Sequence, residues 1–341
     1  LSKLYESLLP QKKAVDSSWE RLVNNREREW GLYGHDIGLH PLNLAIGGLI
    51  PTKVTTIGAR SGTGKTALLT AIAEGASRVL NGRRAELCVF SWEMQPDYLV
   101  DRYICSKTGL TLRELNQGAK LIREEYFNSK LKDAYKIAQK LPAIYQTHST
   151  DISHIRAVAK EFVEVCDQKS EIEGVEILPV LVVDYLNMAQ FEAMGLRTYG
   201  IGDFMNGFKQ LCNELRAAGI IFAQILRSTD KENRIPDRAD FADSSAIENA
   251  SDNLIVLYRP EYHKVDTVLD PQTGLDVDSA NKLLIKILKG RDYGIGEVLT
   301  SCDIKHFRFW DLNQEWSFPY WDLYKNKAFW MEHFGFRDHM E

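Results

Sequence analysis

With 341 residues, 44% of them hydrophobic and 26% charged, the chain has the composition of a folded globular protein with one large core or two modest ones, which excludes a disordered or fibrous polymer. Its 42 Lys and Arg against 47 Asp and Glu leave a formal net charge of −5, so the surface as a whole is not the basic footprint of a simple nucleic-acid binder, and any nucleic-acid contact has to be local. No apolar run is long enough to span a membrane, the N-terminal segment lacks the apolar stretch of a signal peptide, and Cys88, Cys105, Cys166, Cys212 and Cys302 contain no C-x-x-C pair. Membrane insertion, export, a zinc site and a disulfide framework are therefore not expected, and a reducing cytoplasm is the expected compartment.

In chain order, the first segment carries apolar positions at helical spacing (Leu4, Leu8; Val15, Trp19, Leu22, Val23) and dense mixed charge over residues 20–29. Residues 1–31 are expected to form an arm or linker helix outside the core. A first residue of Leu rather than Met leads us to expect numbering that begins inside a longer chain. A glycine-rich stretch ends in GGLIP, after which residues 54–57 read as a β-strand. Short β-branched apolar runs follow at residues 87–90, 180–183, 219–224, 254–257 and 283–288, with helical patterns between most of them. That alternation predicts an α/β fold with a mostly parallel, doubly wound sheet over residues 32–312. A helical insert over residues 96–139 is expected between the second and third strands, followed by Pro142 and a capping signal at Thr150-Asp151-Ile152-Ser153. Residues 313–341 form an aromatic tail, with Trp316, Phe318, Tyr320, Trp321, Tyr324, Phe329, Trp330, Phe334 and Phe336. The tail folds back onto its own domain or serves as a dock for a partner protein.

The run Ala59-Arg60-Ser61-Gly62-Thr63-Gly64-Lys65-Thr66 follows a predicted strand and opens a predicted helix over residues 66–80, which is the context a phosphate loop requires. Arg60, Ser61, Gly62, Thr63, Gly64, Lys65, Thr66 and Ala67 are the candidate nucleotide ligands. Gly62 and Gly64 let successive N–H groups turn toward one anion, the helix N-terminus adds its dipole, Lys65 reaches the β and γ phosphates, and the Thr66 hydroxyl ligates Mg²⁺. ATP, or another NTP, and Mg²⁺ are the expected cofactors. The first position is Ala59 where the strict pattern has Gly.

Three strand ends add polar groups. Asp184 ends the run at 180–183, at the crevice where α/β sheets bind ligands, and is the candidate that holds Mg²⁺ through water, unless it only caps the strand. Glu93, in FSWEM, is the candidate general base for the attacking water, or else a helix-starting acid. Gln224 ends the run at 219–224 as an amide that senses the γ phosphate, or as a satisfied strand end.

FSWEM, LVVDYLNM, FAQILRS, SSAIENASDNLIVLYR and KGRDYGIGEV stand in the order and approximate spacing found in the ATPase domain of DnaB-type replicative helicases, and over residues 36–312 the chain resembles that family. The resemblance implies a RecA-like core, assembled as a hexameric ring that encircles single-stranded DNA and moves 5′ to 3′ while hydrolysing nucleotide. Primase, polymerase or a loader are the further partners it implies. Lys289 and Arg291 match the basic pair that the family inserts into the neighbouring subunit's nucleotide site, with Arg291 as the arginine finger; the alternative is a solvated strand flank with Lys282 and Lys286. The N-terminal arm resembles in position the family's linker helix, with Trp19, Leu22 and Val23 as anchors, although packing on its own domain is an equal reading.

The resemblance further implies DNA contact from two loops, residues 190–200 with Arg197 and residues 227–252 with Arg227, Lys231 and Arg234. The second loop departs from the family, which commonly has R-E-S-G-S-I-E where this chain has Ala242-Asp243-Ser244-Ser245-Ala246-Ile247-Glu248. Backbone amides at Asp243 and the Ser244 and Ser245 hydroxyls are the expected phosphate holders there. Two other readings share the phosphate loop: a RecA- or RadA-like recombination ATPase, and a ring-forming P-loop ATPase that does not unwind DNA.

Overall fold

A strand covered on both faces is apolar at every position, and the continuous runs of the sequence do form such strands. The computed structural model describes residues 11–26, 32–92, 94–117, 127–141, 143–146, 152–186, 199–226, 234–241 and 244–311. The aromatic tail, Pro142, Thr150 and Asp151 lie outside these residues.

Among the described residues the chain begins with α1 (Gln11–Arg26) and α2 (His40–Ile46), then β1 (Val54–Ala59), α3 (Lys65–Ser77) and β2 (Arg83–Ser91). The predicted helical insert comprises α4 (Pro96–Thr108), α5 (Leu112–Gln117), a π-helical turn (Phe127–Leu131) and α6 (Lys132–Ala138), and leads to β3 (Ala143–Gln146). Next come α7 (Ile152–Glu173), β4 (Glu176–Leu186), α8 (Tyr199–Glu214), β5 (Ala218–Gln224), α9 (Ser244–Ala250) and β6 (Asn253–Tyr258). A small hairpin, β7 (Thr267–Leu269) and β8 (Asp276–Asp278), precedes β9 (Lys282–Gly290), β10 (Gly296–Asp303) and β11 (Arg308–Asp311).

The main sheet runs in the order β11-β10-β9-β6-β1-β5-β4-β2-β3. From β6 to β3 neighbouring strands are parallel, whereas β9, β10 and β11 are added antiparallel. The expected mostly parallel sheet is therefore present, with an antiparallel extension at one side. Successive side chains of a strand point to opposite faces. Val180 and Val182 join a core with Leu68, Ile72, Leu99 and Phe222, while Leu181 and Val183 join the opposite core with Phe162, Phe204, Phe208 and Ile221. Helices α2, α3 and α4 contribute to the first core, and α7, α8 and α9 to the second. Truncating a fully buried side chain such as Phe222 to Ala costs about 3–5 kcal/mol.

The phosphate-loop helix is also tied down at its far end. α3 stops at Ser77, three residues short of the predicted end, because Arg78 turns to an extended conformation (φ −75°, ψ 134°). Its guanidinium meets the buried Asp36 carboxylate at 2.5 Å. Asp36 also accepts hydrogen bonds from Asn43 Nδ2 and Gly38 N, each at 2.7 Å. The five cysteines are all buried and unbridged, and burial pushes the Cys88 and Cys212 thiols up to about 12, so they are inert as nucleophiles. No helix among the described residues is long and apolar enough to cross a membrane.

Candidate active site

The parallel strands share a direction, so their C-terminal ends form one edge, and the candidate nucleotide residues collect there. At the centre, β1 ends in Ala59, which is 0% exposed and holds extended backbone, so the missing first glycine of the strict pattern removes no required conformation. Gly62 and Gly64 do need to be glycine for their backbone, with φ of 77° and 122°. Gly64 is also approached closely, since a Cβ there would lie 2.9 Å from Ile304 Cδ1 and 3.0 Å from the Phe309 ring. At Gly62 a Cβ would meet nothing within 4 Å, so the loop opens outward at that point.

Gly64 caps α3, and no side chain bonds to the cap, which leaves the helix N-terminus facing the concavity of the loop. Thr63 N donates to the Arg60 carbonyl at 3.2 Å and closes the loop, while Arg60 Nη1 donates to the Ile225 carbonyl at 2.9 Å, tying the loop to the end of β5. Lys65 and Thr66 are half-buried at the first turn of α3, and Lys65 Nζ donates to the Ala59 carbonyl at 3.4 Å. Ser61 is exposed, and Ala67 is 1% exposed, so Ala67 offers a ligand only its backbone. An open helix end, two left-handed glycines and an adjacent lysine ammonium fit a polyphosphate, and the Thr66 hydroxyl fits its divalent cation.

Strand register aligns the other candidates on this edge. Gln224 is the direct partner of Ala59, and Asp184, 3% exposed, is the partner of Ser91 at the end of β2. Trp92 N donates to the Asp184 carbonyl at 2.8 Å, so the segment leading to Glu93 is fastened beside Asp184. Glu93 itself lies outside the described residues. The axes of β1 and β4 are about 10 Å apart with β5 between them, room for a phosphate chain and its cation.

A cation missed by the sequence reading stands on the same edge. Arg259 follows β6 directly, its Nη1 lies 3.5 Å from the Gly62 carbonyl, and its guanidinium is held by Glu261 at 3.5 Å. The signal was available, because Asp184 and Gln224 were found as polar residues at the ends of apolar strands and Arg259 obeys the same rule. The walls supplied by Ile304 and Phe309 were not legible, since they come from the turn after β10 and from β11, beyond an antiparallel return.

Lys289 and Arg291 lie at the opposite edge. β9 runs antiparallel to β6, so Gly290 pairs with Asn253 at the start of β6, which in turn pairs with Thr55 at the start of β1. The length of β1, roughly 17 Å at about 3.3 Å per residue, separates that edge from the phosphate loop of the same chain. Lys289 Nζ donates to the Glu248 carbonyl, and burial, assisted by the Arg291 charge, holds its pKa below the usual lysine value. Arg291 is exposed and meets Asp252 Oδ1 at 3.2 Å.

Of the expected DNA-contact residues, Arg197, Arg227, Lys231 and Asp243 lie outside the described residues. Arg234 is engaged by Asp240 through both terminal nitrogens, at 2.6 and 2.7 Å. The stretch expected as one loop over residues 227–252 contains a 3-10 turn at Arg238–Asp240 and the helix α9, which opens with Ser244 and Ser245. The turn forms because Asp237 and Asp240 make a reciprocal capping box, which a reading for basic residues overlooked.

A family model described as the DnaB-like helicase C terminal domain matches residues 34–311. The replicative DNA helicase DnaB of Geobacillus stearothermophilus is 26% identical over 299 residues, 86% of this chain and 59% of that protein. The replicative DNA helicase DnaC of Bacillus subtilis (strain 168) is 22% identical over 308 residues, 89% of this chain and 62% of that protein. The chain thus spans less than two thirds of the length of these curated relatives. Among solved structures, one described as an ATPase domain has the same fold, with a TM-score of 0.72, 20% identity and coverage of 89% of this chain and 98% of that one. A DnaB-like replicative helicase, described with its interactions with primase, has a TM-score of 0.69 at 18% identity and covers 90% of this chain and 68% of its own.

Proposed function

The chain belongs to the DnaB-like helicase C-terminal domain family, and from that premise we propose that it is the motor of a replicative DNA helicase, hydrolysing ATP to move 5′ to 3′ along single-stranded DNA and unwind duplex as a hexameric ring. The observation that carries this reading is the separation of the two halves of the site. Phosphate loop, Asp184 and Gln224 share one edge of the sheet, and Lys289 and Arg291 stand on the other, so a chain can complete its site only with a second copy.

Each residue then has a task set by its chemistry. Backbone N–H groups of residues 60–67 and Lys65 Nζ bind the phosphates, and Arg259 adds a second cation beside Gly62. Mg²⁺, when bound, neutralises charge shared between the β and γ phosphates. Thr66 and Asp184 are the residues that would hold it. Glu93 accepts a proton from the attacking water, and Gln224 hydrogen-bonds to the γ phosphate and reports its loss. Arg291 and Lys289 of one subunit stabilise charge on the phosphoryl group of the next, an effect worth about 10³ to 10⁵ in rate in other NTPases.

Arg197, Arg227, Lys231 and Arg234, with Asp243, Ser244 and Ser245, remain the proposed DNA contacts in the cytoplasm where the ring works. Primase, polymerase and a loader are the proposed protein partners, and α1 the linker between subunits. Displacement of a labelled strand from a forked substrate tests the reading, with Lys65→Ala as control. ATP-dependent displacement lost in Lys65→Ala is the expected result; DNA-stimulated ATPase with no displacement would sink the helicase claim.

A further inference from the structure

The turn between β9 and β10 carries Arg291 and is fastened at several points. Arg291 N donates to the Asp252 carbonyl at 3.0 Å, and Arg291 Nη1 lies 3.2 Å from Asp252 Oδ1. The neighbouring Asp292 pairs with Lys53 Nζ at 2.8 Å. On the other side, the Tyr293 ring lies against Gly47, where a Cβ would come within 2.3 Å of the ring and its hydroxyl, so only glycine admits it. Gly294 N closes the turn onto the Gly290 carbonyl at 3.0 Å.

Asp252 is the hub of this arrangement. It is 2% exposed, and its Oδ2 accepts from Val54 N at 2.8 Å and from Lys209 Nζ of α8. Oδ1 has no aligned hydrogen-bond donor among the described residues, so its charge is met by Arg291 and, at 3.9 Å, by Lys53. A buried carboxylate oxygen met by ion pairs alone attracts the exposed Arg291 guanidinium beside it by charge.

We propose that Asp252 is the positioning residue of Arg291, holding the guanidinium at the far edge of the sheet in the orientation in which a second copy of this chain meets it, while the Tyr293 ring on Gly47 fixes the turn that carries it. The inference rests on the reading of Arg291 as a finger acting in trans. Asp252 stands beside Val54 at the start of β1, on the edge opposite the phosphate loop of its own subunit, and acts through Arg291. A finger that is already ordered loses little freedom on assembly, and small misplacements of such groups cost about a hundredfold in rate.

Mixed rings separate this role from a structural one. Subunits with Lys65→Ala retain Arg291, and subunits with Arg291→Ala retain a phosphate loop, so mixing two inactive proteins is expected to restore ATPase at the sites where one completes the other. No restoration overturns the trans reading itself. With restoration established, the donor is replaced by Lys65→Ala/Asp252→Asn, whose substitution lies only in the lending subunit, while the site that turns over keeps its own Asp252. Restored kcat is expected to fall about ten- to a hundredfold with KM unchanged. Restoration equal to that of the unsubstituted donor overturns the proposal. Where the Asp252→Asn donor fails to co-assemble, Lys65→Ala/Tyr293→Ala decides, because it leaves the buried network intact: full restoration overturns the proposal, and a loss of kcat alone supports it.

Discussion

Ala59 and Gln224 are register partners at the C-terminal ends of adjacent parallel strands, so Gln224 is set beside the residue from which the phosphate loop springs. On the proposed reading an uncharged amide in that place binds phosphate weakly but changes its hydrogen bonding when the γ phosphate leaves. Gln224→Ala is expected to leave nucleotide affinity within about threefold of the parent while lowering DNA-stimulated turnover by about ten- to a hundredfold. Fluorescent nucleotide binding and steady-state ATPase, measured side by side, check the split; equal losses in both would make Gln224 a binding residue.

Two single exchanges between glycine and alanine in the phosphate loop have opposite consequences. Ala59 lies in extended backbone and is fully buried, so Ala59→Gly restores the strict motif without a conformational gain and costs about 0.5–1 kcal/mol of strand stability. Gly64→Ala places a Cβ at φ 122° and against Ile304 and Phe309, which forces the loop to shift. Urea denaturation should register the first change with nucleotide affinity unaltered. For Gly64→Ala, affinity should fall at least tenfold, to about the level of Lys65→Ala.

Acid sensitivity is expected from the loop that braces α3. His35 is 1% exposed, and burial, the largest influence, holds its pKa down at about 4 from an ordinary 6.5, with Asp36 acting the other way. The unfolded chain therefore binds a proton between those values that the folded chain does not. Stability from this group is present above pH 6.5 and is lost as pH falls toward 4, by about 1.6 kcal/mol between pH 6.5 and 5. The neighbouring Asp36 carboxyl, which burial alone would raise, is held below the usual carboxylate range by Arg78, Asn43 and Gly38, and so also favours higher pH. In chemical denaturation at the two pH values, His35→Gln should lose most of the dependence; an unchanged slope would assign it to other groups.

Much of this edge could be read from residues alone, because each apolar run named a strand and each polar residue after it named a position on the crevice. The run at 54–57, the phosphate loop and the helix after it are local in sequence and appear nearly as expected, the helix stopping early only for the long-range pair of Arg78 with Asp36. Strand direction is not local. Nothing in residues 283–288 says that they run against β6, and that direction is what carries Arg291 to the far edge and brings Ile304 and Phe309 over Gly64. The absence of a helical pattern between the runs at 254–257 and 283–288 was the available hint, since a parallel return needs a crossover. The pairing of Arg234 with Asp240 was not legible either, because Asp240 counts in the sequence only as a nearby opposite charge.

Helix α1 bears on assembly. Val15, Trp19, Leu22 and Val23 recur at helical spacing, and in the single chain they are 57%, 64%, 59% and 40% exposed, which weighs against packing on their own domain. Four large exposed apolar side chains on one helix form a face that water disfavours, and a helix of this length is marginal unless that face is covered. On the proposed trans reading of Arg291, a second copy of the chain is the expected cover for it. Trp19→Ala with Leu22→Ser is therefore expected to leave the melting temperature of the subunit unchanged and to shift particles from rings to single subunits at a given concentration. Basal ATPase per subunit should fall in parallel, because each dissociated chain keeps its phosphate loop and loses its finger. Mass photometry across a dilution series, read against ATPase on the same samples, provides the check; rings that persist with full activity would place the docking face elsewhere.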